Sequence, residues 1–251
     1  MSRVALGIIG GTGALDLFDV REERRVETPY GRPSSALARV RVGELDGWFL
    51  ARHGRPHRIP PHRINYRANI DALHRLGVER IVAINAVGSM DPVCGAGELV
   101  VPDQLIDYSW GRSHSFSDDD ISPLRHIEFA EPFAGPTRSA LLAAARRSEV
   151  ACSDGGCLAV TQGPRLETAA EVKRISRDGA TLVGMTAMPE AALAREAGMD
   201  YASLCIVANA AAGLDDEPIS EEAIHQVLAS AMGHVRKLFD ALDLESPLGD
   251  P

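Results

Sequence analysis

The chain of 251 residues is 45% hydrophobic and 24% charged, enough apolar content for a large core beneath a hydrated surface. Its net charge of −9 argues against generic nucleic-acid binding, which needs a basic face. A small anion is not excluded, because a few Arg, His and backbone N–H groups can hold one on an acidic protein.

In chain order, residues 4–9 form a short apolar run that ends in Gly10-Gly11-Thr12-Gly13, the pattern of a buried strand entering a tight loop. Residues 36–42 and 48–51 flank Gly43-Glu44-Leu45-Asp46-Gly47 and read as a hairpin. Ile64, Ala68, Ile70, Leu73 and Leu76 mark an amphipathic helix over residues 64–76, stopped by Gly77. Residues 80–85 read as a parallel-type strand followed by Ala86-Val87-Gly88-Ser89. Helical patterns cover residues 137–147 and 169–177, and strands are predicted near 157–160, 182–185 and 201–207.

The last helix is the clearest element. Ser220 is a good N-cap, Glu221 and Glu222 occupy the first turn, and Ile224, Val227, Leu228, Ala231, Val235, Leu238 and Leu242 fall on one stripe. Asp118-Asp119-Asp120 reads as a solvated turn, and residues 246–251 as a frayed tail. Strands alternating with helices predict one α/β domain over residues 1–245. The amino terminus carries no long apolar run and no stretch reaches membrane-spanning length, so a cytoplasmic setting is expected, with no membrane or nucleic-acid partner. Cys94, Cys152, Cys157 and Cys205 form no CxxC pair and no His-rich spacing. Cys152 and Cys157 are close enough in sequence to bridge, but free thiols are the expectation without an export signal, and no metal is expected.

Two segments suggest an anion site. The glycine cluster follows a strand, so its N–H groups could form a nest with the Thr12 hydroxyl as a further donor; a turn needed only for backbone geometry fits equally well. It is not a Walker loop, and Asp16 occupies the third glycine's place in a dinucleotide fingerprint. Arg52-His53-Gly54 follows an apolar strand, where α/β folds present functional groups. Arg52 offers a bidentate fork to phosphate and His53 a further donor, while Arg55-Pro56-His57-Arg58 adds positive charge; the alternative is a surface turn.

Met185-Thr186-Ala187-Met188-Pro189-Glu190, with Asn209 downstream, completes a set with Gly7-Ile8-Ile9-Gly10-Gly11-Thr12-Gly13 and Arg52-His53-Gly54. In content and order these segments resemble the trimeric purine nucleoside phosphorylase and S-methyl-5′-thioadenosine phosphorylase family, over residues 4–242. The resemblance implies an α/β fold around a central mixed, partly barrel-closed sheet flanked by helices, assembled as a homotrimer. It implies a pentosyltransferase of purine salvage that takes a nucleoside and inorganic phosphate as co-substrates and uses no cofactor.

Carried over residue by residue, phosphate contacts fall on Thr12, Arg52, His53, the Asn85-Ala86 segment (Thr-Ala in many relatives) and Thr186. Met185 would pack on the ribose, and Asn209-Ala210-Ala211 would read the purine. Gly163-Pro164-Arg165-Leu166-Glu167-Thr168 resembles the loop along the base pocket, where Glu167 would bind N1–H or else serve as a helix N-terminal charge. Ile224 and Leu228 would wall the 5′ end of the sugar or belong to the core, with His57 nearby and His126 reaching in from a neighbouring subunit. The other histidines, His62, His74, His114, His225 and His234, have no such context and are expected to be structural or exposed.

Adenosine-type enzymes of this family carry an aspartate where this chain has Asn209, and a second acidic residue where it has Ala211. An Asn amide donates to O6 of a 6-oxopurine while its carbonyl accepts the N–H formed as N7 is protonated. The expected reaction is therefore reversible phosphorolysis of S-methyl-5′-thioinosine to hypoxanthine and 5-methylthioribose 1-phosphate. Inosine/guanosine and S-methyl-5′-thioadenosine phosphorylases, a hydrolytic nucleosidase and a non-catalytic nucleoside-binding protein are the alternatives.

Overall fold

The sheet is organised around one long central strand, β5 (Arg80–Ser89). The computed structural model describes residues 6–11, 13–118, 123–215 and 219–244, so Thr12, Asp119, Asp120, the first five residues and the carboxy-terminal tail from 245 lie outside the described residues. Before β5 come β1 (Leu6–Gly10), β2 (Asp19–Arg24), β3 (Leu37–Val42), β4 (Leu45–Ala51) and helix α1 (Tyr66–Arg75). After it follow β6 (Leu99–Val101), β7 (Gln104–Asp107), α2 (Pro136–Arg147), β8 (Cys152–Asp154), β9 (Cys157–Val160), α3 (Ala169–Arg177), β10 (Leu182–Gly184), α4 (Ala187–Glu196), β11 (Asp200–Ala210) and α5 (Glu221–Asp240).

Strand faces alternate as the period of two requires. On β1, β5 and β11, Leu6, Ile8, Val82, Ile84, Ala202, Leu204 and Ile206 face the core cluster shared with α2 and α5. Ile9, Ile81, Ala83, Val87, Tyr201, Cys205 and Val207 face the opposite cluster, shared with α1 and α4. The result is an α/β sandwich with helices on both faces of a mixed sheet. Among the described residues no helix is long and apolar enough to cross a membrane.

Strand β5 is where the sheet forks. One edge pairs throughout with β11, in parallel. The other edge pairs with β1 over Arg80–Ala83, in parallel, and with β10 over Gly88 and Ser89, antiparallel. Between them, among the described residues, Ile84 to Val87 has no strand partner on that edge. The ladders run β2-β3-β4-β1-β5-β10-β9-β7 on one path, with β11-β6-β8 branching from β5, so the sheet is not closed. The central mixed sheet flanked by helices is the one the resemblance implied, its two branches stopping short of full closure. Pro102, which lacks an N–H, parts β6 from β7, and Gly155 and Gly156, at φ of 100° and 111°, part β8 from β9, while Gly155 N donates to the Val101 carbonyl and Gln104 N to the Gly156 carbonyl across the joint.

The hairpin forms with a tighter turn than expected. Val42 pairs with Leu45, so only Gly43 and Glu44 lie between the strands, and Gly43 takes the positive φ that a two-residue turn demands. All four cysteines are free thiols.

Candidate active site

Strands β1, β4, β5 and β11 run parallel, and open α/β sheets present ligand sites beyond the carboxyl ends of such strands. A cavity of about 290 Å³ lies there, in the fork of β5. Gly11 enters it after β1, Arg52 and His53 after β4, Ala86 and Gly88 from β5, Met185 and Thr186 between β10 and α4, and Asn209 and Ala211 from the end of β11. Ile219, Ile224, Leu228 and Met232 form an apolar wall on the side of α5. Ala86 is exposed in the middle of a central strand because the fork opens beside it.

Asn209 reaches the cavity through a β-bulge. Val207 pairs with Val87 and Asn209 with Gly88, which leaves Ala208 as the extra residue. In an unbroken strand, Asn209 and Ile206 would point to opposite faces; the bulge lets both line one cavity. One Asn209 amide N–H donates to the Ala210 carbonyl at 2.6 Å, leaving the second N–H and the carbonyl oxygen of the side chain for other partners. Ala210 does not line the cavity, whereas Ala211 does and is 2% exposed.

Arg52 is buried, and its fork is not empty. Its Nε and one terminal nitrogen donate to the two carboxylate oxygens of Glu190, both at 2.8 Å, and the other terminal nitrogen donates to the Ile84 carbonyl at 3.1 Å. The Tyr201 hydroxyl donates to the same carboxylate at 2.9 Å. Burial alone would pull the Arg52 pKa down, but the facing Glu190 carboxylate outweighs it and holds the guanidinium above its ordinary value. The bidentate fork expected to face phosphate is thus turned to Glu190.

His53 is held by one strong contact, Nδ1 to the Ile59 carbonyl at 2.8 Å. A carbonyl only accepts, so Nδ1 carries the proton and Nε2 of the neutral ring is an acceptor. Burial, with Arg52 and His57 adding to it against the Ile59 bond, pulls the His53 pKa down to about 4. The His57 ring stacks on it with centroids 4.3 Å apart. Burial also lowers the pKa of His57, and His225 adds to that fall. His225, exposed as expected, lines the cavity too. The available signal was spacing: His225, Leu228 and Met232 sit at i, i+3 and i+7 on α5.

Thr186 precedes α4 without capping it; its hydroxyl donates to Asn85 Oδ1 at 2.9 Å. Asn85 Nδ2 donates in turn to Ser203 Oγ at 2.8 Å. The Asn85 side chain therefore braces Thr186 and does not line the cavity, whereas Ala86 does. Glu167 lines the cavity and accepts from the Thr161 hydroxyl at 2.5 Å. Thr168 instead caps α3, accepting from Glu171 N at 3.1 Å while Glu171 accepts from Thr168 N at 2.7 Å, a capping box. His126 is exposed and lies outside the cavity. Gly163, at φ of 60°, is needed for close approach, since a Cβ there would lie 2.5 Å from Met185 Sδ.

Residues 5–242 match the phosphorylase superfamily, and the chain belongs to it. It is 53% identical over 221 residues to a protein of Xylella fastidiosa named "Probable S-methyl-5'-thioinosine phosphorylase", covering 86% of this chain and 88% of that one. It is 42% identical over 244 residues to the 6-oxopurine nucleoside phosphorylase of Pyrococcus furiosus, covering 95% and 91% of the two chains. The solved structure of methylthioadenosine phosphorylase from Schistosoma mansoni in complex with adenine superposes with a TM-score of 0.89 at 35% identity, covering 95% of this chain and 90% of that one.

Proposed function

We propose that this protein catalyses the reversible phosphorolysis of S-methyl-5′-thioinosine, releasing hypoxanthine and 5-methylthioribose 1-phosphate. The observation that carries the reading is the shared cavity, which gathers Arg52, His53, Ala86 and Thr186 with Asn209 and an apolar α5 wall. The names of the similar proteins from Xylella fastidiosa and Pyrococcus furiosus support the 6-oxopurine assignment.

In this reading phosphate sits between the glycine loop, Arg52, the Ala86 N–H and the Thr186 hydroxyl. His53 Nε2, an acceptor, takes a hydrogen bond from the P–OH of hydrogen phosphate. The ribosyl group becomes cationic as the glycosidic bond breaks, and phosphate stabilises and captures it. Asn209 donates to O6, and its carbonyl accepts the N7–H that develops on the departing purine, a bond that strengthens in the transition state. Catalysis then rests on positioning and electrostatics, with no cofactor and no covalent enzyme intermediate. The homotrimer, with His126 entering a neighbouring site, the single domain over residues 1–245 and the cytoplasmic setting belong to the same reading.

A second reading is favoured by one observation. His57 and His225 set polar groups beside the apolar wall and could donate to a 5′-hydroxyl, as inosine would require. Both readings are tested by following free purine from S-methyl-5′-thioinosine, S-methyl-5′-thioadenosine and inosine, each with and without phosphate. The proposal expects phosphate-dependent hypoxanthine release, fastest from the methylthio substrate. Faster release from inosine would favour the second reading, and adenine as the main product would sink the Asn209 assignment.

A further inference from the structure

Glu190 stands behind the proposed phosphate site. It is fully buried and does not line the cavity, so it reaches a ligand only through another side chain. That side chain is Arg52, which does line the cavity. Three donor positions of its guanidinium are fixed: two on the Glu190 carboxylate and one on the Ile84 carbonyl. An arginine side chain carries five N–H donors. The remaining two are therefore the ones that can turn to the cavity, and the Glu190 fork fixes the plane in which they lie. Tyr201, on β11, fixes Glu190 in turn through its hydroxyl.

We propose that Glu190 is a positioning residue for phosphate, acting with Tyr201 to aim the free N–H groups of Arg52 and to cancel its charge. This inference rests on the phosphorolysis reading. Its chemical content is that the anion meets a directed pair of N–H dipoles and no loose cation. A buried arginine without its counter-charge would turn toward any available acceptor, and the aim would be lost. The competing account makes the ion pair a strut between the end of β4 and α4, with no bearing on phosphate.

The test compares wild type with Glu190→Gln and Tyr201→Phe. Each protein's KM for phosphate and KM for nucleoside are measured, with melting temperature and direct calorimetric binding of inorganic phosphate. Glu190→Gln is expected to raise the phosphate KM about tenfold or more, the order expected for loss of a charge-assisted hydrogen bond. Tyr201→Phe, which removes only a hydroxyl, is expected to raise it by roughly threefold. In both, the nucleoside KM stays within about twofold of wild type, and the calorimetric Kd for phosphate follows its KM.

Two results overturn the proposal: a fall in melting temperature with the phosphate KM unchanged or lower, or a parallel rise in both KM values. If Glu190→Gln does not fold, Tyr201→Phe decides alone, and an unchanged phosphate KM in that variant overturns it. Wild-type purine release that needs no phosphate, with no calorimetric binding, would overturn the phosphorolysis reading itself and this inference with it.

Discussion

On the proposed reading a single side chain, Asn209, sets the substrate preference. Its amide presents both a donor and an acceptor to a purine edge, whereas a carboxylate presents only acceptors. Asn209→Asp is expected to shift base preference toward 6-aminopurines by roughly tenfold or more, since an unmatched buried polar group costs about 1–3 kcal/mol. Relative kcat/KM for S-methyl-5′-thioinosine and S-methyl-5′-thioadenosine checks it, and an unchanged ratio would remove Asn209 from base recognition. The identity of this residue was legible in the sequence, but the way it reaches the cavity was not. The bulge at Ala208 has no local signature, because Val207-Ala208-Asn209 reads like any strand end. Arg52 was likewise legible as a candidate for the site but not as the partner of Glu190, because nothing local couples residues 138 positions apart.

His53 gives a prediction in pH. Its folded pKa lies near 4, below the unfolded value of about 6.5. Between those values the unfolded chain binds a proton that the folded protein does not, so stability is full above about pH 6.5 and falls as pH drops toward 4. At pH 5 the His53 contribution to that fall is about 1–2 kcal/mol after allowance for partial exposure. Urea unfolding at pH 7 and pH 5 checks it: His53→Gln is expected to narrow the gap between the two by that amount.

Among the elements, α5 was the most legible, and it does two jobs. Ser220 caps it, accepting from Ala223 N at 3.1 Å, and Ala231, Val235 and Leu238 bury its inner stripe. Ile224 and Leu228, one turn apart on the same stripe, line the cavity instead of the deep core. Ser220→Ala is expected to cost about 1 kcal/mol, and Leu238→Ala, at a fully buried site, about 2–5 kcal/mol. Denaturant midpoints measure both, and equal costs would mean that the core does not depend on this end of α5. Two elements were poorly legible for opposite reasons. Strand β2 (Asp-Val-Arg-Glu-Glu-Arg) is exposed throughout and, among the described residues, pairs only with β3, so it has no buried face to leave an alternating pattern. Helix α4 is buried on nearly every side, so it has no polar stripe, and Pro189 in its first turn disguises it further.

Taken as a molecule, the protein places its cavity where the sheet divides. Strand β1 stops at its pairing with Ala83 and β10 begins at Gly88. A short apolar strand and a glycine-rich loop made the end of β1 a candidate, but the division itself depends on which strands pair, and local sequence does not encode that. The cavity therefore draws on residues from both branches of the sheet and from α5, and a change in the angle between the branches would alter it everywhere at once.

The divided edge also leaves part of the backbone ladder unfinished. Along a strand, alternate residues send their N–H and C=O to the same edge. Ile84 sends its carbonyl to Arg52, and Ala86, two residues on, faces the same gap with no strand opposite. An oxyanion at that point would serve the sheet as a missing neighbour, completing its pairing as well as occupying its pocket. Amide hydrogen exchange makes this measurable: the Ala86 N–H should exchange faster than those of Val82 or Cys205 in the free protein and slow by about tenfold or more on adding phosphate. If phosphate leaves the Ala86 rate unchanged, the anion does not complete the ladder at this point.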